Sequence, residues 1–391
     1  MPVRATKRGA ARVPFPTGAD ADVLICGASF AGLTVARELR STGARVLVLD
    51  RYEIGERQTS ACAAPTEWLR NMGLEASIRQ TFDSLLVHTP QVERARWPLP
   101  FTFSTFDYRQ LCDLLWEQAG DAEFETAKVI DRTGLEVRTD RGTVTAPLIV
   151  DALGWRRVLG PGDNFQPPDG PLSRGLEVHP AGVGSDLELW IDPRYVDAGY
   201  GWSFPARDEL RIGVGSFDPH DPVKQPTLRL VEDVQQEPDG YQGNWIPHRI
   251  RPAVEDGVFF AGDSAGHCLP LTAEGIRTAF YFGIALGREL RAVVEGRQDR
   301  AAALKRYGAF SGSHRWKYEA IYAAQQSIRH LHGRPLDTLT RIFARRKIST
   351  WAFQHYLEIA PPQYAVPAPP VPLSRPAGSP PLDLESSEAA A

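Results

Sequence analysis

The chain has 391 residues, a formal net charge of −4, 42% hydrophobic residues and 24% charged ones. That length holds two ordinary domains or one large discontinuous one with an ample core, and that balance belongs to a folded globular protein. The slight acidic excess argues against a general nucleic-acid binder. Four scattered cysteines without a C-x-x-C pair argue for a reduced, cytoplasmic protein over a disulfide framework or metal site.

Residues 1–19 carry Arg4, Lys7, Arg8 and Arg12 but no apolar stretch of the secretory type, and read as a flexible basic leader. Residues 20–50 hold the first strong signal. An apolar run at 23–26 reads as a buried parallel strand. Gly27-Ala28-Ser29-Phe30-Ala31-Gly32 follows, then a helical stretch, then a second apolar run ending on Asp50. This is a βαβ unit with a dinucleotide fingerprint whose middle glycine is Ser29. Gly27 permits the tight turn, Ser29 is small enough for backbone amides to approach a pyrophosphate, and Gly32 allows close helix–strand packing. Asp50 can accept hydrogen bonds from ribose hydroxyls, with Arg51 beside it, and the helix N-terminus attracts phosphate.

Two short helical stretches are expected at 66–72 and 74–82, then antiparallel strands at 84–105 broken by Pro90, Pro98 and Pro100. A helix at 108–119 carries Arg109 at its head, and strands follow at 127–130, 135–139 and 143–150. The block 160–250 is strand-like and aromatic, with one helix near 226–236. A second strand-to-helix turn spans Gly257 to Gly266 and contains Asp263; Gly275-Ile276 then open a long helix to about 295. Residues 300–357 are helical in pattern, and 361–391, rich in Pro, Ala and Ser, read as a disordered tail. No run of about 18 apolar residues predicts a membrane-spanning helix.

Four motifs in order, the fingerprint at Gly27, Arg109-x-x-x-Asp113, Asp151-x-x-Gly154 and Gly262-Asp263 followed by Pro270 and Gly275-Ile276, resemble the FAD proteins of the p-hydroxybenzoate hydroxylase type over roughly residues 22–295. The resemblance implies FAD, with Asp50 at the adenosine ribose, Arg109 at the pyrophosphate or ribityl chain, Val129 at adenine, Asp263 at the ribityl chain and Gly275-Ile276 at the isoalloxazine edge. Within that group, Gly199-Tyr200-Gly201-Trp202-Ser203-Phe204-Pro205 is similar to the Y-x-W-x-F-P signature of geranylgeranyl reductases. Alternation puts Tyr200, Trp202 and Phe204 on one strand face, either as ordinary sheet core or as an apolar wall beside a flavin. That family also carries a cysteine in the segment where Cys62 falls, with redox, proton-donating and packing roles all open. No second cysteine is near it in sequence. Halogenases of related type carry a different aromatic motif and a catalytic lysine; no lysine lies between Lys7 and Lys128.

The implied fold is α/β: a discontinuous Rossmann-like FAD-binding domain (20–83, 106–160, 250–297) with an inserted antiparallel β-rich substrate domain (84–105, 161–249) and a helical C-terminal region (298–360). The implied activity is reduction of carbon–carbon double bonds in an isoprenoid or other apolar substrate by hydride from reduced flavin, with NAD(P)H or a reduced electron-transfer protein as reductant. A flavin monooxygenase is the alternative, and a non-catalytic redox-sensing flavoprotein a third reading. Cys62 and His267 are the catalytic candidates. From Arg300 to Ala360 there are eleven Lys or Arg against three Asp or Glu, interleaved with aromatics. Such helices suit a peripheral contact with the inner face of a membrane, a docking face for an electron donor, or simply a solvated cap over the substrate cavity.

Overall fold

In the computed structural model, which describes residues 14–15, 19–58, 60–161 and 170–365, six strands form the nucleotide-type sheet. Their order is Val254–Glu255, Val258–Phe260, Leu148–Asp151, Val23–Cys26, Val46–Asp50 and Glu123–Thr126, parallel except at the first. The central strands are apolar up to the terminal Asp151 and buried on both faces, as helix-covered parallel strands must be. Helix α1 (Phe30–Glu38) covers them on one side together with the long helix Ile276–Val294. A four-stranded side sheet, Ala19–Asp20, Gly142–Thr145, Glu136–Thr139 and Val129–Thr133, flanks it.

The fingerprint turn is as tight as its glycines suggest. Gly27 has φ +115°, and a Cβ there would lie 2.2 Å from the carbonyl oxygen of Ala152; one on Gly32 would lie 1.8 Å from that of Gly27.

The second layer is an eight-stranded sheet, largely antiparallel, in the order Gln242–Pro247, Leu172–Val178, Leu210–Ser216, Gly199–Pro205, Leu187–Trp190, Ile78–His88, Ala95–Phe106 and Ala63–Pro65. Two expectations change here. Residues 74–82 are not a helix: a single 3-10 turn at Glu75–Ser77 leads into the eleven-residue strand Ile78–His88, because side chains of this segment alternate between the two sheet faces. Pro98 and Pro100 do not break the next strand either. Pairing runs Phe82 to Phe103 and then Ser84 to Pro98, so residues 99–102 bulge opposite Asp83 and Pro100 is asked for no ladder hydrogen bond.

Among the described residues seven further α-helices follow: α2 (Thr66–Asn71), α3 (Tyr108–Gln118), α4 (Lys224–Asp233), and, after the long helix α5 (Ile276–Val294), α6 (Arg300–Gly312), α7 (Arg315–Ile328), α8 (Arg334–Phe343) and α9 (Arg346–Leu357). The C-terminal end of α9 is bolted to the nucleotide domain. Buried Arg277 donates to the carbonyls of Tyr356 (3.2 Å), Leu357 (3.1 Å) and Ala360 (3.2 Å), capping the negative end of the helix. Trp68 Nε1 donates to Ala360 (3.0 Å) and Asn71 to Pro362 (3.0 Å). Residues 361–365 are thus folded chain, not the start of a tail; 1–13 and 366–391 lie outside the described residues.

Candidate flavin and substrate site

Four elements converge at the carboxyl ends of the parallel strands, where open α/β sheets bind ligands. The first is the N-terminus of α1. Ser29 occupies the cap position, yet its hydroxyl makes no cap bond and pairs instead with the Tyr108 hydroxyl (3.1 Å). The first-turn amides are therefore left to an external anion. Phe30 contributes only backbone, since its ring is packed edge-on against Phe106, Tyr108 and Phe280. The second is Asp50, whose carboxylate is fixed by the amides of Ala28 (2.8 Å) and Tyr52 (3.0 Å). Each oxygen keeps a lone pair for a diol. Ala127 donates its amide to the Asp50 carbonyl (2.7 Å), which brings the segment leading to buried Val129 beside this ribose position.

Arg109, at the head of α3, is half-buried, packs against Gly55 and stands 3.9 Å from Asp113. The pair is loose, and the guanidinium is available to a phosphate. Arg51 lies over the Tyr52 ring (4.8 Å).

The third element is the turn Gly262–Ala265, where a Cβ on Gly262 would stand 3.0 Å from that of Ala31 in α1. Asp263 sits there with no hydrogen bond to its carboxylate among the described residues, and burial lifts its pKa to about 6. The residue is half-buried, and a carboxylate so placed without a protein donor marks a place where a ligand donor belongs. Asp151 behaves differently. Its two oxygens accept from the amides of Leu153 (2.9 Å) and Leu159 (2.8 Å) and from Ser264 Oγ (2.7 Å). It is fully buried and ties the turn together.

The fourth element is the loop 270–275 before α5. A Cβ on Gly275 would lie 3.4 Å from Cys268 Sγ and 3.6 Å from Asp263 Oδ1. Leu271 (φ +64°) and Ala273 (φ +50°) are held in the left-handed region, costly for residues with a Cβ. Gln325 Oε1 accepts from the Leu271 amide (2.7 Å), the Leu269 amide donates to the Glu274 carbonyl (3.1 Å), and Thr272 pairs with Tyr356 (2.6 Å). Tyr356 also donates to Glu274, which pairs with buried Arg277 (2.6 Å).

This loop joins the substrate sheet, for Tyr200 Oη donates to the Thr272 carbonyl (2.7 Å). On the strand Gly199–Pro205, Gly201, Ser203 and Pro205 are buried, Gly201 against Leu230 of α4, while Tyr200, Trp202 and Phe204 share the half-buried face. The Trp202 indole lies flat across the sheet. A Cβ on Gly213 would come within 2.3 Å of Trp202 Cζ2, and one on Gly215 within 3.4 Å of Cζ3. Trp202 Nε1 donates to buried Glu177 (3.0 Å), which also accepts from His179 (2.8 Å) and from Gln242.

From there the network reaches the segment before Cys62. Gln242 donates to the Ser60 carbonyl (3.1 Å), while Arg211, directly opposite Phe204, donates to the carbonyls of Ala61 (2.9 Å) and Cys62 (3.2 Å). Cys62 has φ +55° and is buried. Burial raises its thiol pKa well above the ordinary value, against the pull of Arg211, so the sulfur stays protonated. Cys112 also acts on it electrostatically, a proximity hidden by their separation in sequence.

His267 is a correction. Its ring is stacked on Phe282 (centroids 3.7 Å), its Nε2 pairs with Ser311 (3.0 Å), and burial lowers its pKa well below 6.5. It is a neutral residue in the packing between α5 and α6, not an acid at the flavin. Glu177, Arg211 and Gln242 were missed because they fall in no motif and meet only across three strands.

Residues 20–113 match the model of the FAD binding domain. The chain is 23% identical to digeranylgeranylglycerophospholipid reductase 3 of Methanosphaera stadtmanae over 350 residues, covering 79% of this chain and 87% of that one. It is 24% identical to digeranylgeranylglycerophospholipid reductase 2 of Methanothermobacter thermautotrophicus, covering 84% and 93%. Among solved structures, a geranylgeranyl bacteriochlorophyll reductase-like protein from Thermoplasma acidophilum superposes with a TM-score of 0.75 at 18% identity, covering 88% of this chain and 98% of that one. The chain therefore shares the fold of the Thermoplasma protein along nearly its whole described length, and FAD is the cofactor of its nucleotide domain.

Proposed function

We propose that the protein is an FAD-dependent reductase that saturates carbon–carbon double bonds of an isoprenoid or other long apolar substrate. The observation that carries this reading is the aromatic face of Tyr200, Trp202 and Phe204, tied by Tyr200 to the loop that opens α5. The names of the two archaeal relatives point to the same substrate class.

When bound, reduced FAD supplies the hydride; NAD(P)H or a reduced electron-transfer protein renews it. The protein's part is positional. The first-turn amides of α1 and Arg109 hold the pyrophosphate, Asp50 and Asp263 the hydroxyls, and the Gly275-Ile276 end of α5 the ring edge. The Trp202 indole, clamped by Glu177, gives an isoprenoid chain a flat apolar surface and excludes water. One alkene carbon takes the hydride and the other takes a proton, for which the protonated Cys62 thiol or water is the donor.

Anaerobic incubation of the reduced protein with a geranylgeranyl lipid tests this. The product should gain two hydrogens per double bond. A product that gains oxygen, and forms only in air, would establish the monooxygenase alternative instead.

A further inference from the structure

Four cations crowd the bend between α8 and α9, namely Arg341 on α8, Arg345 in the bend, and Arg346 and Lys347 on α9, and Arg334 stands at the other end of α8. All are exposed, and none has an acidic partner within salt-bridge distance among the described residues. The only acid of this stretch, Asp337, is buried and turned inward to accept from Thr89 Oγ1 (2.6 Å). Large apolar side chains stand among these charges. Trp351, one turn beyond Lys347, is 64% exposed, and Leu339 is 38% exposed. Between Leu331, Pro335, Leu339 and Ile342 lies an open depression of about 490 Å³.

The opposite face of the hairpin is fixed to the substrate sheet. Phe343 packs on Trp97 (4.9 Å), Trp97 Nε1 donates to the Thr340 carbonyl (2.9 Å), and Phe353 meets Phe101 edge-on (6.4 Å). The exposed tryptophan and leucine are therefore not waiting to fold inward; the inward positions are filled.

We infer that the outer face of α8 and α9 is a docking surface for an anionic lipid bilayer. Cations flanking a tryptophan and aliphatic side chains on a helical face match headgroup phosphates above and acyl chains below. Charge alone would equally suit an acidic electron-transfer protein. The apolar depression and Trp351 favour the bilayer, since water otherwise meets them directly. Docked so, the membrane lies one layer from the sheet that carries Trp202.

The test is flotation of the full-length, FAD-loaded protein with phosphatidylcholine vesicles, with and without phosphatidylglycerol. Binding is expected only with phosphatidylglycerol and should fall with added salt. At about fivefold per basic residue, the triple variant Arg345→Gln/Arg346→Gln/Lys347→Gln should lose roughly a hundredfold. Trp351→Ala should weaken binding in a way that salt does not reproduce. These sites are exposed, so an unchanged flavin spectrum serves as the folding control, and the basic leader is intact in every variant. The inference is overturned if the triple variant binds as the parent does, or if the parent ignores phosphatidylglycerol vesicles. The second outcome, joined to protection of these cations by an acidic electron-transfer protein, would assign the face to that partner. None of these readouts depends on which reaction the flavin performs.

Discussion

Replacing Asp263 by asparagine should stabilise the protein without cofactor while weakening its hold on FAD. The carboxylate is half-buried with no donor among the described residues, and desolvation raises its pKa from 3.8 to about 6. At about 1.4 kcal/mol for each tenfold change in acidity, the ionised form costs the cofactor-free fold at most about 3 kcal/mol at neutral pH. The sign follows from the direction: a carboxyl whose pKa is raised on folding favours the fold while protonated. Stability should therefore be full below about pH 4, fall as the pH rises towards about 6, and level off above it. Asparagine removes the charge and with it the decline. Urea unfolding of the FAD-free proteins at pH 5 and pH 7.5 should show the parent losing stability between the two, by about 1–1.5 kcal/mol more than Asp263→Asn. FAD titration should show the variant binding roughly ten- to a hundredfold more weakly, the worth of a hydrogen bond to a charged group. A variant that is no more stable at neutral pH, or that binds FAD as tightly as the parent, would refute the assignment of Asp263 to a ligand hydroxyl.

Three further outcomes are expected. Burial lowers the pKa of His179, but Glu177 and Glu209 outweigh it and raise it to about 9. Its contribution should be full below about pH 6.5 and lost as pH climbs through about 9, worth up to about 3 kcal/mol; His179→Gln should flatten urea midpoints between pH 7 and pH 10. Arg277→Met leaves Glu274 and the α9 carbonyls without their buried cation, which should cost about 3–5 kcal/mol and open α8–α9 to limited proteolysis. Gly213→Ala drives a methyl group into the Trp202 indole; FAD content should hold while the rate of flavin reoxidation by an alkene falls at least tenfold.

The nucleotide half was legible because its constraints are local. Gly32 is demanded by the carbonyl of Gly27 only five residues before it, and the strand and acid that frame the turn lie on the same βαβ unit; Gly27 also makes room for the remote carbonyl of Ala152, which no local pattern announces. Tyr200, Trp202 and Phe204 were placed on one face by alternation alone, but what that face meets depends on partners remote in sequence. Gly213 and Gly215 make room for the indole and Glu177 fixes it, and no periodicity links strands that far apart. His267 misled through proximity in sequence to Asp263: Gly266, at φ +63°, turns the chain so that the imidazole enters the α5–α6 packing. Residues 74–82 misled through apolar spacing that suits a short helix as well as a strand, where pairing with 95–106 decides.

The central claim is that the reduced flavin yields its hydride to an apolar alkene lying on the Trp202 face. Stopped-flow spectroscopy measures this directly: the protein is reduced with dithionite and mixed, without oxygen, with a geranylgeranyl lipid. The oxidised flavin spectrum should return at a rate that rises with lipid concentration, and Trp202→Ala should slow it. A flavin that stays reduced until oxygen is admitted would contradict the account.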